Sequence, residues 1–403
     1  MGETSIRSPG AVRPLTALLL LWLAGVALRL TILAVPPVIP LIHLDLHLSE
    51  TQVGILSGLP MVLFAGAAIT GSLLVARFGV LSTLVTGLLL CALGGALRGL
   101  GPHIAVLYAA TIVMAFGVAV MQPAMPQLVR AWLPNRIGFA TAVYTNGLIV
   151  GEILPAALTI PVVLPLIGQS WQWSFVLWSL PVAVIAAIGM AKAPRAAPIS
   201  SAAPAGRWWP DWRDARLWRI GLMLGCVNAT YFALNGFLPD YLHHIGRPEL
   251  INGALTALNL GQLPASFMLL ASAERLVRKV WPYVVCGLIS LASVLAIMSG
   301  SGIGIIAGSA LFGCFGAAIL VLVLALPPLI SAPGDAHRTA AGIFTISYSC
   351  AVIIPVIAGM LWDLTGAAAI AFVPMVVCML AIVALAPTLG LRDKSAGDVT
   401  HGR

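Results

Sequence analysis

A single arginine sits about midway along an apolar run. Residues 17–48 are long and apolar enough to cross a bilayer, yet they contain Arg29. A lone charge at that depth costs several kcal/mol unless it faces a partner or a watery cavity. A guanidinium there suits an anionic or electron-rich solute, which its N–H fork can grip through charge-assisted hydrogen bonds. The alternative is a structural ion pair inside a helix bundle. Glu152 is the natural partner, because the two are the only intramembrane charges of opposite sign. Arg29 lies about 14 residues into its span and Glu152 about 15 into another, so at ~1.5 Å per residue their depths match. Either they form a static bridge, or Glu152 takes up a proton while solute occupies Arg29.

The remaining polar groups within the apolar segments are few. The first half of the chain offers Gln122, Tyr144 and Asn146, and the second offers Asn228, Tyr231, Asn235, Asn259, Gln262 and Tyr348. Asn228, Tyr231 and Asn235 stand at i, i+3 and i+7 and share one helix face. Such a face can close a solute site or serve as interhelical hydrogen-bond glue. Glue is the reading for Asn146 and Asn259. No nucleophile–base pair, nucleotide loop or metal-ligand spacing appears, so an enzyme is not expected, nor a cofactor or a resident metal. The six cysteines, Cys91, Cys226, Cys286, Cys314, Cys350 and Cys378, fall within apolar segments and read as small core residues.

These residues must be positioned by membrane helices. The 403 residues are 60% hydrophobic and only 8% charged, whereas soluble domains carry about 25% charged residues. Repeated apolar stretches of ~20 residues without strand alternation predict a polytopic all-α membrane protein. Twelve spans are predicted, at 15–42, 51–76, 80–100, 103–130, 137–165, 171–192, 216–241, 250–273, 280–299, 302–330, 338–361 and 367–390. The Pro-, Ala- and Arg-rich stretch 193–215 reads as a linker between an N-terminal six-helix bundle, 1–192, and a C-terminal one, 216–403. Eighteen Lys and Arg residues fall on the side holding both termini and the linker. Arg98 and Arg247 alone fall on the other, and with Arg29 this accounts for all 21. The positive-inside rule makes both termini cytoplasmic. The net charge of +8 follows from that bias and suits anionic lipid, so no nucleic-acid partner is needed. On the far side, His43, Asp45, His47, Asp240, His243 and His244 are expected to be solvated loop residues, with a metal site as the less favoured alternative.

The halves repeat. Gly54-Ile-Leu-Ser-Gly-Leu-Pro60 and Gly253-Ala-Leu-Thr-Ala-Leu-Asn259 are offset by 199 residues, and the same offset carries Arg29 onto Asn228. Two parallel-related six-helix halves are the architecture of carriers whose solute site lies near midplane between them. The run Gly71-Ser-Leu-Leu-Val-Ala-Arg77-Phe-Gly79 is similar to the loop between spans two and three of major facilitator proteins, with Ala76 where their acid stands.

The runs Arg29 to Pro40, Leu59-Pro-Met-Val, Ala96-Leu-Arg98, Gln122-Pro-Ala-Met-Pro126 and Gly225 to Asp240 together resemble the cyanate permease and nitroimidazole transporter branch of the major facilitator superfamily. The resemblance implies a monomeric twelve-span inner-membrane carrier for a small, compact solute, working by alternating access. It maps that family's intramembrane arginine onto Arg29, its glutamine onto Gln122, and its amide and tyrosine of span seven onto Asn228 and Tyr231. Glu152 departs from the uncharged stretch the resemblance leads one to expect. A drug or metabolite exporter of the same fold is the alternative, together with a sensor that has lost transport.

Overall fold

The computed structural model describes residues 14–101, 103–193, 209–326 and 336–389. Most of the linker and both terminal segments lie outside these, as does the run Pro327-Pro-Leu-Ile-Ser. Fifteen helices are used below: α1 Pro14–Leu30, α2 Ile39–Leu46, α3 Glu50–Phe78, α4 Val80–Leu97, α5 Ile104–Met121, α6 Ala124–Trp132, α7 Ile137–Leu158, α8 Trp171–Lys192, α9 Ala215–His244, α10 Ile251–Leu260, α11 Gln262–Leu276, α12 Trp281–Met298, α13 Gly302–Leu324, α14 Ala336–Thr365 and α15 Val373–Leu385. No strand occurs among the described residues. Nine helical segments there are long and apolar enough to span a membrane. With the shorter apolar α1, with α3, and with α10–α11 taken together, they make twelve columns. The side chain of Ala76, and with it the departure in the loop after α3, lies outside the described residues.

The first predicted span is not one helix. It stops at Leu30, turns through residues 31–35, and resumes as a 3₁₀ turn, Pro36–Val38, that leads into α2. Pro36 and Pro37 lack N–H groups and crowd the preceding turn, so the α-helical ladder cannot run through them. Val35 N–H bonds Ile32 O instead of closing onto Thr31 O. Thr31 O is left over, and Arg98 Nη2 donates to it at 2.8 Å. Pro60, Pro155, Pro181, Pro239 and Pro355 lie inside other helices; a π turn, Thr159–Val163, follows α7.

Small residues set the helix spacing. A Cβ built on Gly147 would lie 2.3 Å from Trp22 O, and one on Gly151 would lie 2.4 Å from Val26 O. Only glycine allows α1 and α7 to touch backbone to backbone at these points. On the side away from the start of α1, the two halves are fastened together. Asp363 accepts from the Glu50 and Thr51 N–H groups at 2.9 and 2.8 Å, and His43 meets Asp240 at 3.1 Å. Asp363 thereby serves the free N–H groups at the start of α3, beside the capping box of Ser49 and Gln52.

Candidate functional site

Arg29 is the penultimate residue of α1, so its side chain leaves the helix where the backbone breaks. Glu152 sits on α7 one residue after Gly151, where that helix packs closely on Val26 of α1. The packing brings Arg29 Nε to 3.3 Å from Glu152 Oε1, with the two side chains 21% and 8% exposed. The two charges set at matched depth thus lie within ion-pair distance of each other. Glu152 Oε2 accepts from Gln262 Nε2 at 2.7 Å, across the boundary between the halves.

From there a hydrogen-bond chain runs into the second half. The Gln262 amide also reaches the Tyr231 hydroxyl, at 3.4 Å. That hydroxyl donates to Asn259 Oδ1 at 2.6 Å, and Asn259 Nδ2 donates to Asn235 Oδ1 at 3.1 Å. Asn228 Nδ2 donates to Ser347 Oγ at 2.8 Å. Arg29, Glu152, Asn228, Tyr231 and Gln262 line one cavity with the aromatic faces of Phe232 and Phe312 and the small residues Gly313 and Gly316. Its atom-free space is ≈ 410 Å³, part of it open to solvent. Arg29 Cζ stands 5.9 Å from the centroid of the Phe232 ring. Among the described residues, Glu152 is the only side chain that satisfies the Arg29 guanidinium. The remaining N–H groups of its fork can serve a solute.

Other expected residues fall elsewhere. Asn235 lines a second cavity, and its own amide N–H donates to Tyr231 O. Gln122 caps α5 just before Pro123 and lies beside the Tyr348 hydroxyl, outside the Arg29 cavity. The Tyr348 ring packs between Phe344 and Phe64, with centroids 5.9 and 5.7 Å away. Tyr144 packs its backbone against Gly25. Asn146 accepts from Trp22 Nε1, as a glue residue would. Sequence reasoning names Gln262 among the polar groups of the spans but gives it no place in the site, although its i, i+3 spacing from Asn259 puts two amides on one side of the chain. It passes over Phe232 and Phe312, which look like ordinary core residues.

Two further findings concern the far side. Arg98, which the charge count sets there, does not reach water: it is fully buried, drawn in by Thr31 O and by the face of Phe175, 4.4 Å from its Cζ. Of the far-side acids and histidines expected to be solvated, Asp45, His47, His243 and His244 are exposed, whereas His43 is half-buried and Asp240 is buried. Asp240 is 6% exposed, and Asp45 accepts from Trp171 Nε1 and Gln172 Nε2. His43 Nδ1, Glu50 and Asp240 bring their donor atoms within 4.8 Å of one another. A metal ion could bridge that spacing, but the His43 Nδ1–Asp240 Oδ2 contact at 3.1 Å already uses two of the three donors. His43 and Glu50 lie just outside the spans. The hydrogen bond to Asp240 raises the His43 imidazole above its ordinary value, against a lowering by burial. Burial first, and the Asp240 charge second, push the Glu50 carboxyl up to about 8.

The chain has relatives among known proteins. It is similar to the cyanate transport protein CynX of Escherichia coli (strain K12), 26% identical over 87% of this chain and 90% of that one. It is also similar to the 2-nitroimidazole transporter of the same organism, 28% identical over 57% of this chain and 58% of the relative. Among solved structures, the D-xylose-proton symporter superposes with a TM-score of 0.74 over 94% of this chain and 98% of that one. The identity is 13%, a likeness of fold. A model of the Major Facilitator Superfamily matches residues 21–248, more than half of the chain. The twelve helical columns in two repeated halves have that architecture, and the chain belongs to the Major Facilitator Superfamily.

Proposed function

We propose that this transporter is a secondary carrier for a small monovalent anion, cyanate or a compact carboxylate, moved by alternating access across the bacterial inner membrane. The observation that carries the reading is Arg29 at the break of α1, held by one carboxylate and facing a compact cavity between the halves. Charge balance adds the coupling. Arg29 and Glu152 together are neutral, so an anion entering beside them would leave an uncompensated charge in a low-dielectric site. A proton on Glu152 restores neutrality and frees Arg29 for the solute. Proton–anion symport is therefore the mode this pair supports.

The bias of basic residues places both termini in the cytoplasm, with bundles at 1–192 and 216–403 joined by the linker 193–215. Asn228, Tyr231 and Gln262 close the site from the second half, and no cofactor or further subunit is called for. A nitroheterocycle is the second reading, favoured by the flat Phe232 face within 5.9 Å of Arg29 and by the relative that carries 2-nitroimidazole.

Proteoliposomes loaded at alkaline pH and diluted into acidic buffer should accumulate radiolabelled cyanate above its equilibrium level. Accumulation of 2-nitroimidazole without cyanate would shift the assignment to the second reading. Efflux against the imposed gradient would make the protein an exporter.

A further inference from the structure

Arg98 is the largest fully buried side chain among the described residues, and its charge is not cancelled. Nη2 donates to Thr31 O, while Nε and Nη1 have no hydrogen-bond partner. No ion pair among the described residues includes it. One carbonyl and the Phe175 ring are neutral, so the guanidinium lies away from water with the Nε–H and both Nη1–H donors open. Burying a charge in that way is strongly unfavourable unless a counter-charge joins it.

Arg98 lines its own cavity, with ≈ 390 Å³ of atom-free space, between residues of both halves. The other polar side chains of the lining are committed. Ser57 Oγ donates to Val53 O, Thr111 Oγ1 to Leu107 O, and Asn235 Nδ2 to Tyr231 O. The rest of the wall is aliphatic or aromatic, including Ile32, Leu56, Met114 and Phe232. A site with one positive charge, three free N–H donors on two nitrogens and an apolar wall suits a small anion of single charge that sheds water cheaply. It is hostile to phosphate, sulfate and dicarboxylates, whose second charge and shell would go unmatched. Phe232 lines this cavity and the Arg29 cavity alike.

We propose that Arg98 is an anion-binding station separate from Arg29, holding a small monovalent anion on the far-side approach, with Phe232 as the partition between the two. This rests on the reading of the chain as an anion carrier. The two stations would be coupled through the broken turn of the first span, since Arg98 grips Thr31 two residues after Arg29.

The test uses the full chain and two probes. Crystals soaked in sodium iodide should give an anomalous peak at hydrogen-bond distance from Arg98 Nε and Nη1, and another at Arg29. Sodium thiocyanate, titrated at fixed ionic strength against gluconate, should raise the thermal midpoint of the wild-type protein, because a ligand that binds only the folded state stabilises it. Arg29→Met should retain part of that rise, and Arg98→Met should lose part of it. A peak at Arg29 alone, with an unaltered thiocyanate response in Arg98→Met, overturns the Arg98 station and leaves the carrier reading intact. Arg98 would then be only a clasp for Thr31 O. If neither site holds iodide and cyanate uptake fails, both readings fall. If Arg98→Met does not fold, Arg29→Met decides: a residual rise together with the Arg98 peak supports the station, and no rise refutes it.

Discussion

At the scale of single residues, the site turns on how Arg29 divides its fork. Nε goes to Glu152, and on the proposed function the other N–H groups take the solute. Arg29→Lys keeps the charge but replaces a planar fork with a point donor. It should raise the half-saturating cyanate concentration about tenfold or more, as expected when a charge-assisted hydrogen bond worth ~1.5–3 kcal/mol is lost. Kinetics in proteoliposomes at matched protein density would check this. Glu152→Gln mimics the protonated acid and can still accept from Gln262. Cyanate counterflow should persist, while accumulation driven by a pH gradient disappears. Gradient-driven uptake that survives in the variant would take the proton away from Glu152. Both residues are legible in the sequence, because charges within apolar spans are few and carry their own warning. Gln262 is less so, since a neutral amide in a span is as good at glue as at solute contact. The burial of Arg98 is not legible, because it precedes the Gly99-Leu-Gly run that ends a helix, where a charge ordinarily reaches water. The orphaned carbonyl that draws it inward exists only once α1 is broken.

At the scale of helices, the Arg29–Glu152 distance is set by backbone packing more than by the two side chains. Gly147 and Gly151 let α7 lie against Trp22 and Val26 of α1. Gly151→Ala would place a methyl 2.4 Å from Val26 O, and main-chain atoms cannot swing aside as a side-chain tip can. Overpacking of this kind typically costs ~1–3 kcal/mol. The variant should melt lower than wild type and lose cyanate affinity, because the shift falls one residue from Glu152. An unchanged melting midpoint, read by intrinsic fluorescence in detergent, would count against close α1–α7 packing. The glycines are visible in the sequence as permissive spacing, and the prolines after Arg29 as a break. Which helix each glycine meets is not visible, because that depends on contacts across more than 100 residues of chain.

At the scale of the molecule, the contacts that hold the far side shut are also its titratable ones. His43 faces Asp240 from the first half, Glu50 shares that neighbourhood, and Asp363 secures the start of α3. The repeat predicts two halves that rock about a central site, but not which side is fastened, since His43, Asp240 and Asp363 have no like counterparts at the repeat offset. In the closed arrangement the His43 imidazole is raised above 6.5 by its bond to Asp240. The Glu50 carboxyl is raised from 4.5 to about 8, chiefly by burial. Opening to water would return both toward their ordinary values, so the closed form binds more protons than the open one. Closure is therefore favoured as pH falls. It weakens as pH climbs from about 4.5 toward 8, where Glu50 charges beside Asp240, and further as His43 loses its proton. Ser57→Cys places a thiol in the far-side cavity, and its rate of modification by a membrane-impermeant maleimide, corrected for the reagent's own pH response, should rise across that window. Glu50→Gln and His43→Gln should each flatten the rise, since each removes one of the protons that closure takes up. A corrected rate that stays level from acid to alkaline pH would mean that the far side is held by helix packing alone, with the His43–Glu50–Asp240 cluster a bystander.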